Sequence, residues 1–450
     1  MLKKCRWILI LGINILLYIN AGMQGLWAML ANVLLAYIAG AVVESITKYR
    51  KLFMSVYIFA VIGILFFCKL SPGISYYSLA CIGYVIDVYR GKYGAEKNPL
   101  CLGAFVSFFP VMVQGPICRY DELKEDLFDG KMQYETFTYG LTRITFGGLK
   151  KLVVADRLAI VFDALCNMSG NGTAIVLNMF VYAFYLYADF SGGIDIAIGL
   201  GYVMGIKLPE NFKSPFFAVS ISDYWRRWHI TLGGWLRDYV FYPVSFAKPV
   251  TKFGKKCRQI FSNKVGKKIP IYIATIIVWL LTGLWHGTKA NFILWGLLNG
   301  VIILISLELE PLYDKFNKKF QFTKSRVYGG FRVVRTFCLM AILRMLDYNT
   351  VTGYFKSISL VVTDFSLEKL VGMEFAQLGL DKANWMVVLL GILLILVVDF
   401  VGRKKTYDEI VLKRSIVLSY SLIAVMIVII VIFGMYGIGY EGKAFIYSKY

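Results

Sequence analysis

Only two histidines occur in the 450-residue chain, His229 and His286, and each directly follows a tryptophan, Trp228 or Trp285. Imidazole is the side chain best suited to taking or giving a proton near neutral pH. Both rings fall in the stretch Ser222 to Trp295. It opens with Ser222-Asp223-Tyr224-Trp225-Arg226-Arg227-Trp228-His229, continues to Trp235-Leu236-Arg237-Asp238-Tyr239, and reaches Leu284-Trp285-His286-Gly287 after a basic segment. Two imidazoles here and none elsewhere point to proton transfer, and the competing reading is that each ring is structural. The residues alone leave both open. Arg226, Arg227 and Arg237 are read first as partners of Asp223 and Asp238, and only second as contacts for a substrate. On one helix Asp223 and Arg227 would be i,i+4 partners, and Arg226 and His229, three apart, would share a face. Trp225, Trp228 and Trp285 are read as the walls of a cavity.

The elements that must position these residues are membrane helices. The chain is 58% hydrophobic and 17% charged, against about 25% charged in a soluble domain. Apolar runs near bilayer-spanning length recur from end to end. The expected fold is all-α, one polytopic membrane domain over residues 1–450. The formal charge is +21, but the basic residues cluster in short links between apolar segments. That is the positive-inside pattern, with anionic lipid headgroups as neighbours, and not a nucleic-acid interface. None of the eight cysteines forms a Cys-x-x-Cys pair, so neither a zinc site nor a disulfide framework is expected. Lys3-Lys4-Cys5-Arg6 before the apolar Trp7–Ile19 imitates a signal peptide but lacks a convincing cleavage site. It is read as the first membrane helix.

In chain order, apolar segments are expected near 7–20, 27–43, 52–68 and 75–89, with a turn at Ser71-Pro72-Gly73. Asp87 is expected to pair with a nearby Arg or Lys. Residues 100–118 are interrupted by Pro110 and Pro116, which leaves a re-entrant, cavity-lining element or a surface loop. Arg143, Lys150, Lys151, Asp156 and Arg157 among apolar residues suggest an amphipathic or snorkelling helix at 136–165. Asp189 and Asp195 in the long apolar stretch 173–206 should face a cavity or a partner. Residues 220–245 are too polar to cross lipid alone and are read as a helix sunk into the core or lying on the membrane face. Lys248–Lys268 holds eight basic residues and no acid and is read as a cytoplasmic loop. A helix over 270–284 follows, then one over 291–308 returning to a second basic loop, then segments 336–350, 385–400 and 415–433. Arg403, Lys404, Lys405, Lys413 and Arg414 mark a further cytoplasmic link. Parity places His286 and the C-terminus toward the outside.

Taken together, these motifs resemble the membrane-bound O-acyltransferase family, in its alginate or polysaccharide O-acetyltransferase branch. The resemblance is carried by Pro72-Gly73-Ile74-Ser75-Tyr76-Tyr77, Ile86-Asp87-Val88-Tyr89-Arg90-Gly91, Gly115-Pro116-Ile117-Cys118-Arg119-Tyr120, Asp189-Phe190-Ser191-Gly192 and Leu208-Pro209-Glu210-Asn211-Phe212. Trp225 to His229, Trp235 to Tyr239, Leu284-Trp285-His286-Gly287 and the C-terminal Phe433 to Tyr440 with Phe445-Ile446-Tyr447 complete it. The D-alanyl transfer protein of teichoic acid modification is a sibling branch. The resemblance implies a bundle of about 10–11 transmembrane helices with re-entrant or in-plane helices around a central tunnel. It implies acyl transfer from a thioester donor to a hydroxyl, with His286 as base and His229 orienting the donor, stabilising the oxyanion or carrying the acyl group. Trp225, Arg226, Arg227, Trp228, Arg237, Asp238, Trp285 and Asp189 would line or support the passage. No metal or permanently bound cofactor is implied, and acetyl-CoA or an acyl carrier protein would be the cytoplasmic donor. A separate extracytoplasmic SGNH-type transferase would be the partner, and the bacterial cytoplasmic membrane the location. A transporter or flippase is the reading from another class, and no inverted repeat favours it.

Overall fold

The computed structural model describes residues 6–67, 73–371, 375–403, 416–437, 440 and 443–446. Ser71-Pro72, the Lys404–Arg414 basic link and Tyr447 lie outside the described residues. Among the described residues there is no strand, only an isolated antiparallel bridge between Phe212 and Trp228. The helices are α1 (Arg6–Ala21), α2 (Met23–Ser45), α3 (Arg50–Phe67), α4 (Ile74–Tyr89), α5 (Pro99–Val106), α6 (Tyr120–Asp129), α7 (Tyr134–Gly148), α8 (Asp156–Cys166) and α9 (Gly172–Val203). Then come α10 (Ile221–Trp225), α11 (Ile230–Leu236), α12 (Tyr242–Ser245), α13 (Lys248–Ile260), α14 (Asn263–His286), α15 (Ala290–Lys319), α16 (Arg326–Arg344), α17 (Val351–Thr363), α18 (Leu367–Val371), α19 (Lys382–Gly402) and α20 (Ile416–Phe433). Six of these, α2, α9, α14, α15, α19 and α20, are long and apolar enough to cross a bilayer, and α1 and α4 are shorter apolar helices. The chain is an all-α, multi-pass membrane protein.

Helix starts follow local chemistry. Asn98 and Asn171 cap α5 and α9, and Ser262 and Ser325 cap α14 and α16, each accepting a backbone N–H of its own first turn. Side-chain caps of this kind satisfy donors that the helix cannot.

The centre of the bundle is the pair α7 and α9. A Cβ on Gly147 would sit 2.5 Å from the carbonyl oxygen of Gly192, and one on Gly140 would sit 2.6 Å from that of Gly199. The two backbones therefore touch at two points seven residues apart on each helix. That approach brings α7 and the π-helical turn Leu149–Ala155 onto the acids of α9. Lys151 Nζ lies 2.7 Å from Asp189 and 2.9 Å from Asp156, Lys150 Nζ lies 2.7 Å from Asp195, and Arg143 lies 2.5 Å from Asp195 and 2.7 Å from Glu210. The expected snorkelling is thus corrected. These cations are buried and matched inside the protein, where a charge is stable only if paired.

The interrupted stretch 100–118 runs through the interior. Helix α5 gives way to a short 3₁₀ turn at Phe109–Val111, and Gln114 and Cys118 are buried. The Ile117 N–H donates to Thr231 Oγ1 at 3.1 Å. Asp87 accepts from Tyr239 Oη at 2.7 Å, with Lys92 at 3.6 Å. The basic segment Lys248–Lys268 is not a loop. It is amphipathic helix α13 followed by the first turn and more of α14, and α15 likewise runs on through the second basic segment to Lys319.

Candidate active site

Residues 220–245 form three short helices and a π-helical turn, not one helix. The break is at His229, whose φ of 49° lies in the left-handed region. A non-glycine residue there is held by its surroundings. Here the clamp is the Pro209-Glu210-Asn211-Phe212 segment. The Ile230 N–H donates to the Asn211 carbonyl at 3.0 Å, and the Lys213 N–H donates to the Arg227 carbonyl at 2.9 Å. Asn211, fully buried, also brings its side-chain oxygen to His229 Nδ1 at 3.2 Å, to Thr231 N at 3.1 Å and to Thr231 Oγ1 at 2.9 Å. The break also separates Arg226 from His229. The Arg226 side chain is 70% exposed while His229 is 3% exposed, so the expected shared face does not form.

His286 is the last residue of α14 and 7% exposed. It is positioned by the hairpin of α14 and α15, which pack backbone to backbone. A Cβ on Gly283 would lie 2.4 Å from the Phe292 carbonyl oxygen, and one on Gly296 would lie 2.3 Å from that of Trp279.

The two imidazoles, 57 residues apart in sequence, meet across one indole. Trp285 has its ring centroid 5.7 Å from His229 and 5.0 Å from His286. Phe190 of α9 closes the other side of His229 at 5.0 Å, and Trp295 packs edge-on to His286 at 4.9 Å. Trp225 touches Trp295 at 5.6 Å and donates its indole N–H to Asn299 Oδ1 at 3.1 Å. Behind this wall stands Arg344, buried, with its guanidinium over Trp228 at 4.8 Å, Trp295 at 5.2 Å and Trp225 at 5.4 Å, and bonded to Asp347 at 3.1 Å. Its charge reaches both imidazoles, and each imidazole lies within electrostatic reach of the other.

The remaining residues singled out above lie around this cluster. Arg227 pairs with Asp223 at 3.1 Å, and Arg226 with the same carboxylate at 3.3 Å. Burial would raise the Asp223 pKa, but hydrogen bonds from Arg227 and the Val219 N–H outweigh it and hold the group below its ordinary value. Asp238 pairs with Arg237 at 2.8 Å and Arg119 at 2.5 Å, and Arg237 is 60% exposed. Arg226 and Arg237 stand at the surface, outside the aromatic cluster. Asp189, at 0% exposure, sits one residue before Phe190, yet its carboxylate faces Lys151 and the Ile446 N–H, not the imidazoles.

Sequence reasoning missed four members of the cluster. Arg344 and Asp347 were signalled only by two opposite charges three apart in an apolar run. Asn299 and Asn211 are single amides whose partners are far away in sequence. A cavity of about 660 Å³ lies beside α10 between α14, α15 and α16, with Ser220, Ser222, Arg226, Arg332 and Arg335 among its polar lining.

The arrangement offers two imidazoles, a guanidinium and a buried aromatic enclosure, the parts that deprotonation of a hydroxyl and stabilisation of an oxyanion require. Among the described residues no group of acids, cysteines and histidines is arranged to hold a metal ion. Residues 98–255 match the model of MBOAT, the membrane-bound O-acyltransferase family. The chain is 38% identical to a probable alginate O-acetylase of Pseudomonas syringae pv. tomato over 52% of its own length and 42% of the relative's. It is 33% identical to a peptidoglycan O-acetyltransferase of Helicobacter pylori over 56% and 50%. It is also 33% identical to a teichoic acid D-alanyltransferase of Bacillus subtilis over 56% and 62%. The matched region spans about half the length of these relatives.

Proposed function

We propose, from the match of residues 98–255 to the membrane-bound O-acyltransferase family, that the chain is a membrane O-acyltransferase whose two histidines serve one site. The observation that carries the reading is the meeting of His229 and His286 on the Trp285 ring. In this reading His286 takes the proton of the acceptor hydroxyl. The oxygen forms a bond to the thioester carbonyl carbon, the tetrahedral oxyanion collapses, and the C–S bond breaks. The imidazolium then returns its proton to the leaving thiolate. Such general-base help is worth roughly 10²–10⁴-fold. Arg344 supplies positive field for the oxyanion, and Trp225, Trp228, Trp285 and Trp295 keep water away. The donor, a cytoplasmic acetyl-CoA or acyl carrier thioester, approaches from the cavity beside α10, where Arg226, Arg332 and Arg335, alongside Glu310 and Asp314, offer cations for its phosphates.

The transferred group is acetyl and the final acceptor an extracytoplasmic polysaccharide, as the names of the alginate and peptidoglycan relatives suggest. A separate extracytoplasmic SGNH-type transferase completes the transfer, and the protein resides in the bacterial cytoplasmic membrane. The teichoic acid relative supports a second reading, D-alanyl transfer from a carrier-protein thioester. Cells carrying the His286→Ala variant should lose surface ester released by mild alkali while the protein still inserts. Unchanged ester would sink the reading, and D-alanine in place of acetate would select the second one.

A further inference from the structure

We propose that Asn211 is a positioning residue that sets the tautomer of His229, keeping the proton on Nδ1 and the lone pair on Nε2. The inference rests on the reading of His229 as part of the acyl-transfer site. Three donors converge on one atom, the Asn211 side-chain oxygen. The Thr231 backbone N–H can only donate, and it points at the Asn211 side-chain oxygen from 3.1 Å. The Thr231 hydroxyl accepts the Ile117 N–H at 3.1 Å, so its own proton goes to the same oxygen at 2.9 Å. That atom is therefore the amide oxygen and not the nitrogen, an assignment made by the network. His229 Nδ1 approaches it at 3.2 Å and must donate. In the neutral ring the lone pair then resides on Nε2.

Asn211 can enforce this because it is fully buried and tied at both ends. Its carbonyl accepts the Ile230 N–H, and the neighbouring Phe212 bridges to Trp228. The same contacts hold His229 in its left-handed conformation, so ring and backbone are fixed together. The chemical consequence narrows the role of His229. With its only proton given to Asn211, the neutral ring cannot donate to an oxyanion from Nε2. It accepts, which suits a hydrogen bond from the incoming hydroxyl, and oxyanion stabilisation falls to other groups.

The test uses the two-histidine composition. Full-length protein labelled with ring-¹⁵N histidine carries two imidazoles, and the His286→Gln variant identifies which signals belong to His229. The expected result is a His229 protonated at Nδ1 and bare at Nε2 at neutral pH. In Asn211→Ala the Nε2-protonated form should grow, with turnover falling roughly 10²-fold, the low end of what a positioned acid–base group contributes. Asn211→Asp keeps an acceptor for all three donors. It should retain the tautomer and move the acidic limb of the activity profile upward, because a buried carboxylate favours the imidazolium. An Nε2-protonated His229 in the unmodified protein, or in Asn211→Asp, overturns the proposal even if Asn211→Ala does not fold. So does an Asn211→Ala protein with unchanged tautomer. If the tautomer is as expected but His229→Ala transfers ester normally, the positioning role falls with the reading of the site, and the tautomer assignment stands.

Discussion

Replacing Lys151 by Met should be among the most damaging single changes in the molecule, through charge and not through size. Lys151 Nζ serves two buried carboxylates, Asp189 at 2.7 Å and Asp156 at 2.9 Å. Met keeps the chain length and apolar stem but removes the cation. Asp189 then retains the Ile446 N–H as donor, and Asp156 loses its ion-pair partner. Breaking a buried pair at one end costs about 3–5 kcal/mol, because the surviving charge stays desolvated. With two carboxylates orphaned, the upper part of that range is expected. Asp189→Asn is milder, about 1–3 kcal/mol, because the amide oxygen still accepts from Ile446 and Lys151 still has Asp156. The double variant leaves only Asp156 unmatched. It should therefore be more stable than the sum of the singles implies, by about 1–3 kcal/mol of coupling. The assay is thermal unfolding in detergent followed by fluorescence-detected gel filtration on all four proteins. A Lys151→Met protein that melts with the parent, or single-variant losses that simply add, would refute the claim that matched charges hold α7, α8 and α9 together.

Three further outcomes follow from the same contacts. Gly147→Leu should lower the melting temperature by an amount corresponding to roughly 1–3 kcal/mol of overpacking, since the obstructing atom is a backbone carbonyl that cannot rotate away; Gly12→Leu, which meets nothing within 4 Å, should not. Asn299→Leu leaves the half-buried Trp225 indole N–H without its acceptor, costing about 1 kcal/mol and shifting the tryptophan fluorescence. Asp223 has a depressed pKa, so its stabilising pairs are fully present above its ordinary value near 3.9 and are lost as pH falls through the lower folded value. Melting curves from pH 7 to pH 3 should show a loss in the parent that Asp223→Asn has already suffered at pH 7.

Much of the bundle was legible because apolar runs of bilayer length have one economical conformation. The four early helices, α9, α19 and α20 lie where the runs lie, whereas the segment expected over 336–350 is the second half of α16 and a short turn, and α17 follows it unforeseen. The basic segments are helical where loops are expected, because their charge reports topology while their periodicity reports conformation. In Lys248–Ile260 the buried Gly254 and Cys257 alternate with exposed lysines, and that spacing is helical. The interior cations were read as snorkelling because their partners, Asp189 and Asp195, come some 40 residues later. The glycine spacing on α7 and α9 was the clue that those helices touch. The break at His229 could not be read locally. Nothing in Trp228-His229-Ile230 demands a left-handed residue, and the conformation is imposed by Asn211 across 18 positions. Arg344 was similarly hidden, since a single arginine closing the apolar run at the end of α16 names no partner beyond Asp347.

The most direct test of the account is surface ester content in cells carrying His229→Ala, His286→Ala and both changes, each normalised to inserted protein. Groups that act as a unit give non-additive losses. The account predicts that each single variant drops the alkali-labile ester to background and that the double variant is no lower. Normal ester in the inserted His286→Ala protein, or two partial losses that multiply in the double variant, would contradict a single site built from both imidazoles.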